Sequence, residues 1–102
     1  MIYQNVTITT NAEIGANVLI LPNCVVSHDS VIEDYAILNA GVCVAGSVHI
    51  GRGCYLGSNS SIRQDISIGQ NSLIGMGSVV IRDVSDNEVV TGIPATFLKN
   101  VK

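Results

Sequence analysis

The sequence predicts an all-β fold, a triangular parallel solenoid in which every six residues form one short strand and one bend. Three observations carry this. Every sixth residue from Ile2 to Val80 is a branched aliphatic, without a break over fourteen positions. Four residues later in each hexad comes a small or β-branched residue, from Val6 to Val84. The residue between them is mostly Asn, Asp or Gly, types that bond their own backbone or accept positive φ. An α-helical period of 3.6 cannot hold such a register, and plain strand alternation would not return a turn former at one phase.

Taken in order, the aliphatic positions are Ile2, Ile8, Ile14, Ile20, Val26, Ile32, Leu38, Val44, Ile50, Leu56, Ile62, Ile68, Ile74 and Val80. Three bends close a triangle, so residues 18 apart stack and the series splits into three ladders lining one continuous core. The first ladder is Ile2, Ile20, Leu38, Leu56 and Ile74; the second runs from Ile8 to Val80, the third from Ile14 to Ile68. The second inward column is Val6, Ala12, Val18, Cys24, Ser30, Ala36, Val42, Val48, Cys54, Ser60, Ile66, Ser72, Ser78 and Val84. Turn formers stand at Asn5, Asn11, Asn17, Asn23, Asp29, Gly41, Gly53, Asn59, Asp65, Asn71, Gly77 and Asp83. The division of the chain is therefore a β-solenoid over residues 1–85 and an exit segment over residues 86–102.

Composition narrows the function classes. With 47% hydrophobic and 13% charged residues the chain is not a disordered tail, and no apolar run approaches the roughly 20 residues of a membrane-spanning helix. A net charge of -3 with five Lys and Arg provides no basic stripe, which argues against nucleic acid or a membrane surface as partner. The N-terminus MIYQNVTITT lacks the pattern of a secretory signal, and three cysteines without metal-type spacing fit a reducing compartment, so the expected location is cytoplasmic. Cys24 and Cys54 read as small core residues with Cys43 beside that column, and no two of them are 18 apart. Asn5 and Asn59 match the glycosylation pattern only because Asn is the turn residue of the repeat.

Against this uniform background His28 and Asp29 stand out. His28 belongs to the outward stack Thr10, His28, Gly46, Gln64, Arg82, so one coil away from the imidazole lies a residue without a side chain. A ring that titrates near neutrality suits a general base, a neighbouring carboxylate would hold its tautomer, and an approachable glycine N–H suits a developing oxyanion. His49, in SVHIG, shares neither phase nor stack with His28 and reads as a surface residue. The two histidines do not supply the three that a zinc-dependent carbonic anhydrase solenoid requires, so no metal is expected. An ice-binding face would need repeated Thr-x-Thr, which occurs once, at residues 7–9.

The stretches HDSVIEDYAILNAGVCVAGSVHIGRGCYLGSNSSI (28–62) and SLIGMGSVVIRDVSDNEVVTGIPA (72–95) resemble the hexapeptide-repeat sugar O- and N-acetyltransferases of the sialic acid and bacillosamine pathways. The resemblance implies a left-handed parallel β-helix, acetyl-CoA as donor, a sugar or nucleotide-linked sugar as acceptor, and a homotrimer. It assigns His28 as base with Asp29 as its acidic partner, and the Gly46 amide as holder of the acetyl carbonyl. Gly92, Ile93, Pro94 and Ala95 match the family's G-x-P-A ending, which borders the adenine end of coenzyme A, where Lys99 would meet a phosphate. Two departures stand beside this. The family's second histidine, nine residues after the first, is Ile37 here, and the family's N-terminal nucleotide-sugar-binding domain is not part of a sequence whose hexads begin at Ile2. A non-catalytic scaffold is the alternative these departures leave open.

Overall fold

In the computed structural model, which describes residues 1–101, parallel pairing that sets residues 18 apart side by side builds the three sheets. The first face holds β1 (Thr7–Ile8), β4 (Val25–Val26), β7 (Cys43–Val44), β10 (Ser61–Ile62) and β13 (Val79–Val80). The second holds β2 (Glu13–Ile14), β5 (Val31–Ile32), β8 (His49–Ile50) and β11 (Ser67–Ile68). The third holds β3 (Leu19–Ile20), β6 (Ile37–Leu38), β9 (Tyr55–Leu56) and β12 (Leu73–Ile74), then β14 (Glu88–Gly92) and β15 (Ala95–Asn100). The all-β solenoid expected from the hexads is therefore the fold, and no helix of the described residues is long and apolar enough to cross a membrane.

The strands are two residues long because the bend consumes the rest of each hexad. At every sixth residue from Asn5 to Gly77 the backbone takes positive φ, including Tyr35 at 65° and Ser47 at 56°. Those two show that the bend is set by closure of the triangle and not by the residue that occupies it. Left-handed backbone costs a residue with an ordinary Cβ about 1–2 kcal/mol, less for Asn and Asp.

Both inward columns are buried from Val18 onward, whereas Ile2 and Ile8 in the first coil are exposed, since a rung is covered only when a coil lies on each side of it. The small column also accepts serine. Ser30 Oγ donates to the Ala45 carbonyl at 2.8 Å, Ser72 Oγ to that of Ser85 at 2.7 Å, and Ser78 Oγ accepts from the Gly92 N–H at 3.0 Å. Among the described residues every buried side-chain N or O has a partner. Cys24 and Cys54 behave likewise, each thiol donating to a carbonyl at 3.0 Å, that of Asn39 and of Gly69 respectively. Burial pushes both thiols up from their ordinary range, so they remain protonated and unreactive.

The last coil departs from the hexad count. Val84 bridges Ile68, and β14 pairs with β12 as Leu73↔Val89 and Ile74↔Val90, so the spacing has fallen from 18 to 16. The hexad after Val80 is thus two residues short, Asp83 is not a positive-φ residue, and Val84 takes the aliphatic column in place of the small one. Asp83 instead receives the Ser67 N–H on Oδ1 at 2.9 Å. After this final parallel rung the chain turns through Gly92–Ala95, with a cis Ile93–Pro94 peptide, and β15 returns antiparallel along β14.

Two outcomes follow. In native protein iodoacetamide should label one cysteine, the exposed Cys43, and all three after denaturation, as read by mass spectrometry. Ser47→Asn should raise the urea-unfolding free energy by about 0.5–1 kcal/mol by relieving the left-handed backbone at this bend.

Candidate active site

His28 lies on the bend between β4 and β5, at the corner joining the first and second faces. Its place is fixed by main-chain bonds on both sides of the coil: the Ser47 N–H donates to the His28 carbonyl at 2.8 Å, and the Asp29 N–H donates to the Thr10 carbonyl at 3.0 Å. Asp29 is the positive-φ residue of this bend, at 60°. The turned backbone brings its Oδ2 to 3.1 Å from His28 Nδ1, and both side chains are exposed. With the Nδ1 proton donated to Asp29, Nε2 is left as the basic nitrogen.

That nitrogen stands over Gly46. A methyl group built on Gly46 would overlap Nε2 and come within 2.5 Å of Cε1. Gly46 does not have positive φ, so the requirement for glycine is one of space and not of backbone conformation. Ser30 braces the segment from beneath. Besides donating to Ala45, its Oγ accepts from the Val48 N–H at 3.1 Å, so the residues before and after the Gly46 bend are tied to one buried hydroxyl.

The Gly46 carbonyl accepts from Asp65 at 3.1 Å, but among the described residues nothing accepts the Gly46 N–H. Two residues at the same phase of other hexads show where such a hydrogen points. The Ala16 N–H donates to Asp34 Oδ1 at 2.8 Å and the Gln70 N–H to Asp86 Oδ1 at 2.9 Å, each a side-chain oxygen arriving from the next coil. At Gly46 the same direction leads toward Gln64 of the next coil, whose side chain does not take the hydrogen, while the His28 ring of the preceding coil packs over the side-chain position of Gly46. A polarised oxygen placed there would have a hydrogen-bond donor and, a short distance away, a proton acceptor.

Of the residues singled out from sequence, the structure brings together His28, Asp29 and Gly46. Gly92, Ile93, Pro94 and Ala95 form the turn at the corner of the third and first faces, and Lys99 lies on β15, paired with Val89. Ala95 nonetheless lines a cavity of about 220 Å³ at the C-terminal end together with Arg82, the last member of the His28 stack. The stack reading already contained Gln64 and Arg82 but gave them no role; their common corner with Gly46 is the signal. Ile37, where the resembled sugar acetyltransferases carry a second histidine, is a half-buried strand residue on the third face, away from His28.

Gly46→Ala should leave the protein folded while shifting the His28 Hε1 and Hδ2 NMR signals and leaving those of His49 in place, because the added methyl displaces one ring only.

A protein-family model described as "Bacterial transferase hexapeptide (six repeats)" matches residues 11–46 and 47–82. Among solved structures, serine acetyltransferase of Neisseria gonorrhoeae is 31% identical with a TM-score of 0.91, covering 96% of this chain and 43% of its own. A maltose O-acetyltransferase of Clostridium difficile is 25% identical with a TM-score of 0.91, covering 97% and 65%. A serine acetyltransferase in complex with CoA is 28% identical with a TM-score of 0.88, covering 92% and 42%. The chain thus spans about two fifths of the serine acetyltransferases and 65% of the maltose enzyme. The family match covers the same coils that carry His28, Gly46 and Arg82, and the chain belongs to the bacterial transferase hexapeptide family.

Proposed function

We propose that the protein is a coenzyme A-dependent acyltransferase that moves an acetyl group from acetyl-CoA to an amine or hydroxyl of a sugar or nucleotide-linked sugar. The observation that carries this is that the residue packed against the Nε2 edge of His28 is a glycine whose N–H has no acceptor among the described residues. The serine and maltose acetyltransferase neighbours, one of them solved with CoA, support the donor and the reaction class. The maltose enzyme and the resemblance of residues 28–62 support a sugar acceptor, in the manner of the sialic acid and bacillosamine enzymes.

In this reading transfer is direct. Asp29 holds the Nδ1 proton, and Nε2 takes the proton of the acceptor amine or hydroxyl as its lone pair attacks the thioester carbon. The carbonyl π electrons move to oxygen, where the Gly46 N–H supports the charge. Collapse expels the coenzyme A thiolate, which receives the proton from the imidazolium. The arm of the donor follows the corner column past Gln64 to Arg82, two coils or about 10 Å beyond Gly46. Arg82 and the Ala95 end cavity then lie toward the nucleotide. Lys99, on the face opposite this corner, would reach a donor phosphate only from a neighbouring copy, which fits a homotrimer with the donor between prisms.

Calorimetry with acetyl-CoA, run with light scattering, should give a trimer that binds at micromolar to sub-millimolar Kd. A folded trimer that ignores millimolar donor would replace this reading with a non-catalytic scaffold. His28→Ala should lower acetyl transfer at least about a hundredfold with donor affinity nearly unchanged, and unchanged turnover would remove His28 from the reaction.

A further inference from the structure

The bend that carries Gly46 is closed differently from its counterparts. Elsewhere the N–H of the small-column residue donates directly to the carbonyl three residues earlier, from Val42 to Asn39 at 3.3 Å, from Ser60 to Gly57 at 3.2 Å and from Ser78 to Gly75 at 3.2 Å. These bonds are long for an N–H and a carbonyl oxygen. At residues 45–48 a side chain takes the place of that bond. The Val48 N–H donates to Ser30 Oγ at 3.1 Å, and Ser30 Oγ donates to the Ala45 carbonyl at 2.8 Å, so a fully buried hydroxyl is inserted into the turn.

A polar residue in the small column does not enter the next turn of itself. Ser60 Oγ bonds the Gly57 carbonyl of its own coil at 2.8 Å, and the bend one coil on, at residues 75–78, keeps its direct bond. The Cys24 thiol reaches the Asn39 carbonyl at 3.0 Å, yet the Val42 N–H still donates there directly. Ser72 repeats the insertion, between the Glu88 N–H and the Ser85 carbonyl, in the shortened coil that leads into β14.

The Ala45 carbonyl and the Gly46 N–H are the two ends of one peptide group, and in a trans peptide they point in opposite directions. A hydrogen bond accepted at the oxygen draws electron density along the amide and makes its N–H a stronger donor. Val48 N–H, Ser30 O–H and the Ala45–Gly46 peptide therefore form a chain of dipoles aligned head to tail, ending on an N–H that has no acceptor among the described residues. Away from water such polarisation is not screened. The same two bonds also fix the tilt of the peptide, at a bend whose left-handed residue is Ser47 and lacks the preference of Asn or Gly for that conformation.

We propose that Ser30 is a positioning residue for acyl transfer, which through this relay aims and polarises the Gly46 amide that receives the thioester carbonyl of the donor. The inference rests on the reading of Gly46 as the holder of that carbonyl. Without the hydroxyl the bend falls back on the longer direct bond, and the amide becomes a weaker donor in a less defined direction.

The test compares Ser30→Thr with Ser30→Val, which share a shape and differ in the hydroxyl; valine already stands in this column at Val42 and Val48. In the ligand-free chain the Gly46 amide proton should stay near its native position in Ser30→Thr and move upfield in Ser30→Val. Infrared spectra of bound acetyl-CoA labelled with ¹³C at the carbonyl should show its stretch lowered by the native chain and by Ser30→Thr. In Ser30→Val the lowering should be about 10–30% smaller, the share by which one bond of a chain strengthens the next. Ser30→Ala, of a size found in the same column at Ala36, should behave as Ser30→Val. A Gly46 amide that is alike in Ser30→Thr and Ser30→Val, or an equal lowering of the carbonyl stretch by both, would overturn the role of Ser30. If instead the Gly46 amide follows the hydroxyl but the native chain leaves the bound carbonyl unshifted, the acetyl-transfer reading falls, and the positioning role with it.

Discussion

Parallel main-chain pairing between residues 18 apart is the constraint from which the molecule's other features follow. Each coil must return to the same azimuth after three bends, so each bend must turn the chain by the same angle within six residues. The left-handed backbone at every sixth position delivers that turn, even at Tyr35 and Ser47, where the side chain disfavours it. Stacking then places like phases one above another at roughly 4.8 Å, which buries two columns and turns the outward phases into vertical rows. A residue's neighbours are accordingly those one coil away, and His28 meets Gly46 for this reason alone.

The same geometry brings His28, Asp29 and Gly46 together at one corner of the solenoid without a deep pocket. A β-helix offers flat faces and three corners, and corners are where N–H groups escape the rung pairing. At two places of the same phase a carboxylate from the next coil takes that N–H; at Gly46 none does, and the imidazole stands beside it. The proposed site is made by leaving out a side chain and a cap at one corner of an otherwise regular scaffold. Asp29 adds the orienting carboxylate at no extra backbone cost, since an acidic turn residue is among those the bend accepts.

Much of this was legible in the amino-acid sequence because the period is rigid. The two inward columns, the turn column, the 18-residue stack and the His28–Asp29–Gly46 constellation all follow from counting. What escaped were the places where the count changes or is crossed diagonally. Asp83 looked like another turn residue because Asp serves that role at 29 and 65, so the two-residue shortening before Val84 left no compositional trace. The Glu33–His49 contact joins residues 16 apart in different columns, which a ladder of 18 does not pair, and His49 therefore looked like an isolated surface residue. The unbonded Gly46 N–H is a property of main-chain direction, which residue types do not encode.

In the proposed reaction the acetyl carbonyl of the donor sits on the Gly46 N–H beneath His28. The most direct measurement is the ¹⁵N–¹H signal of Gly46 in protein titrated with a non-hydrolysable acetyl-CoA analogue that keeps the carbonyl. This amide should move downfield more than any other as the analogue saturates the protein. A Gly46 signal that stays in place at saturation, or an analogue that fails to bind at millimolar concentration, would contradict it.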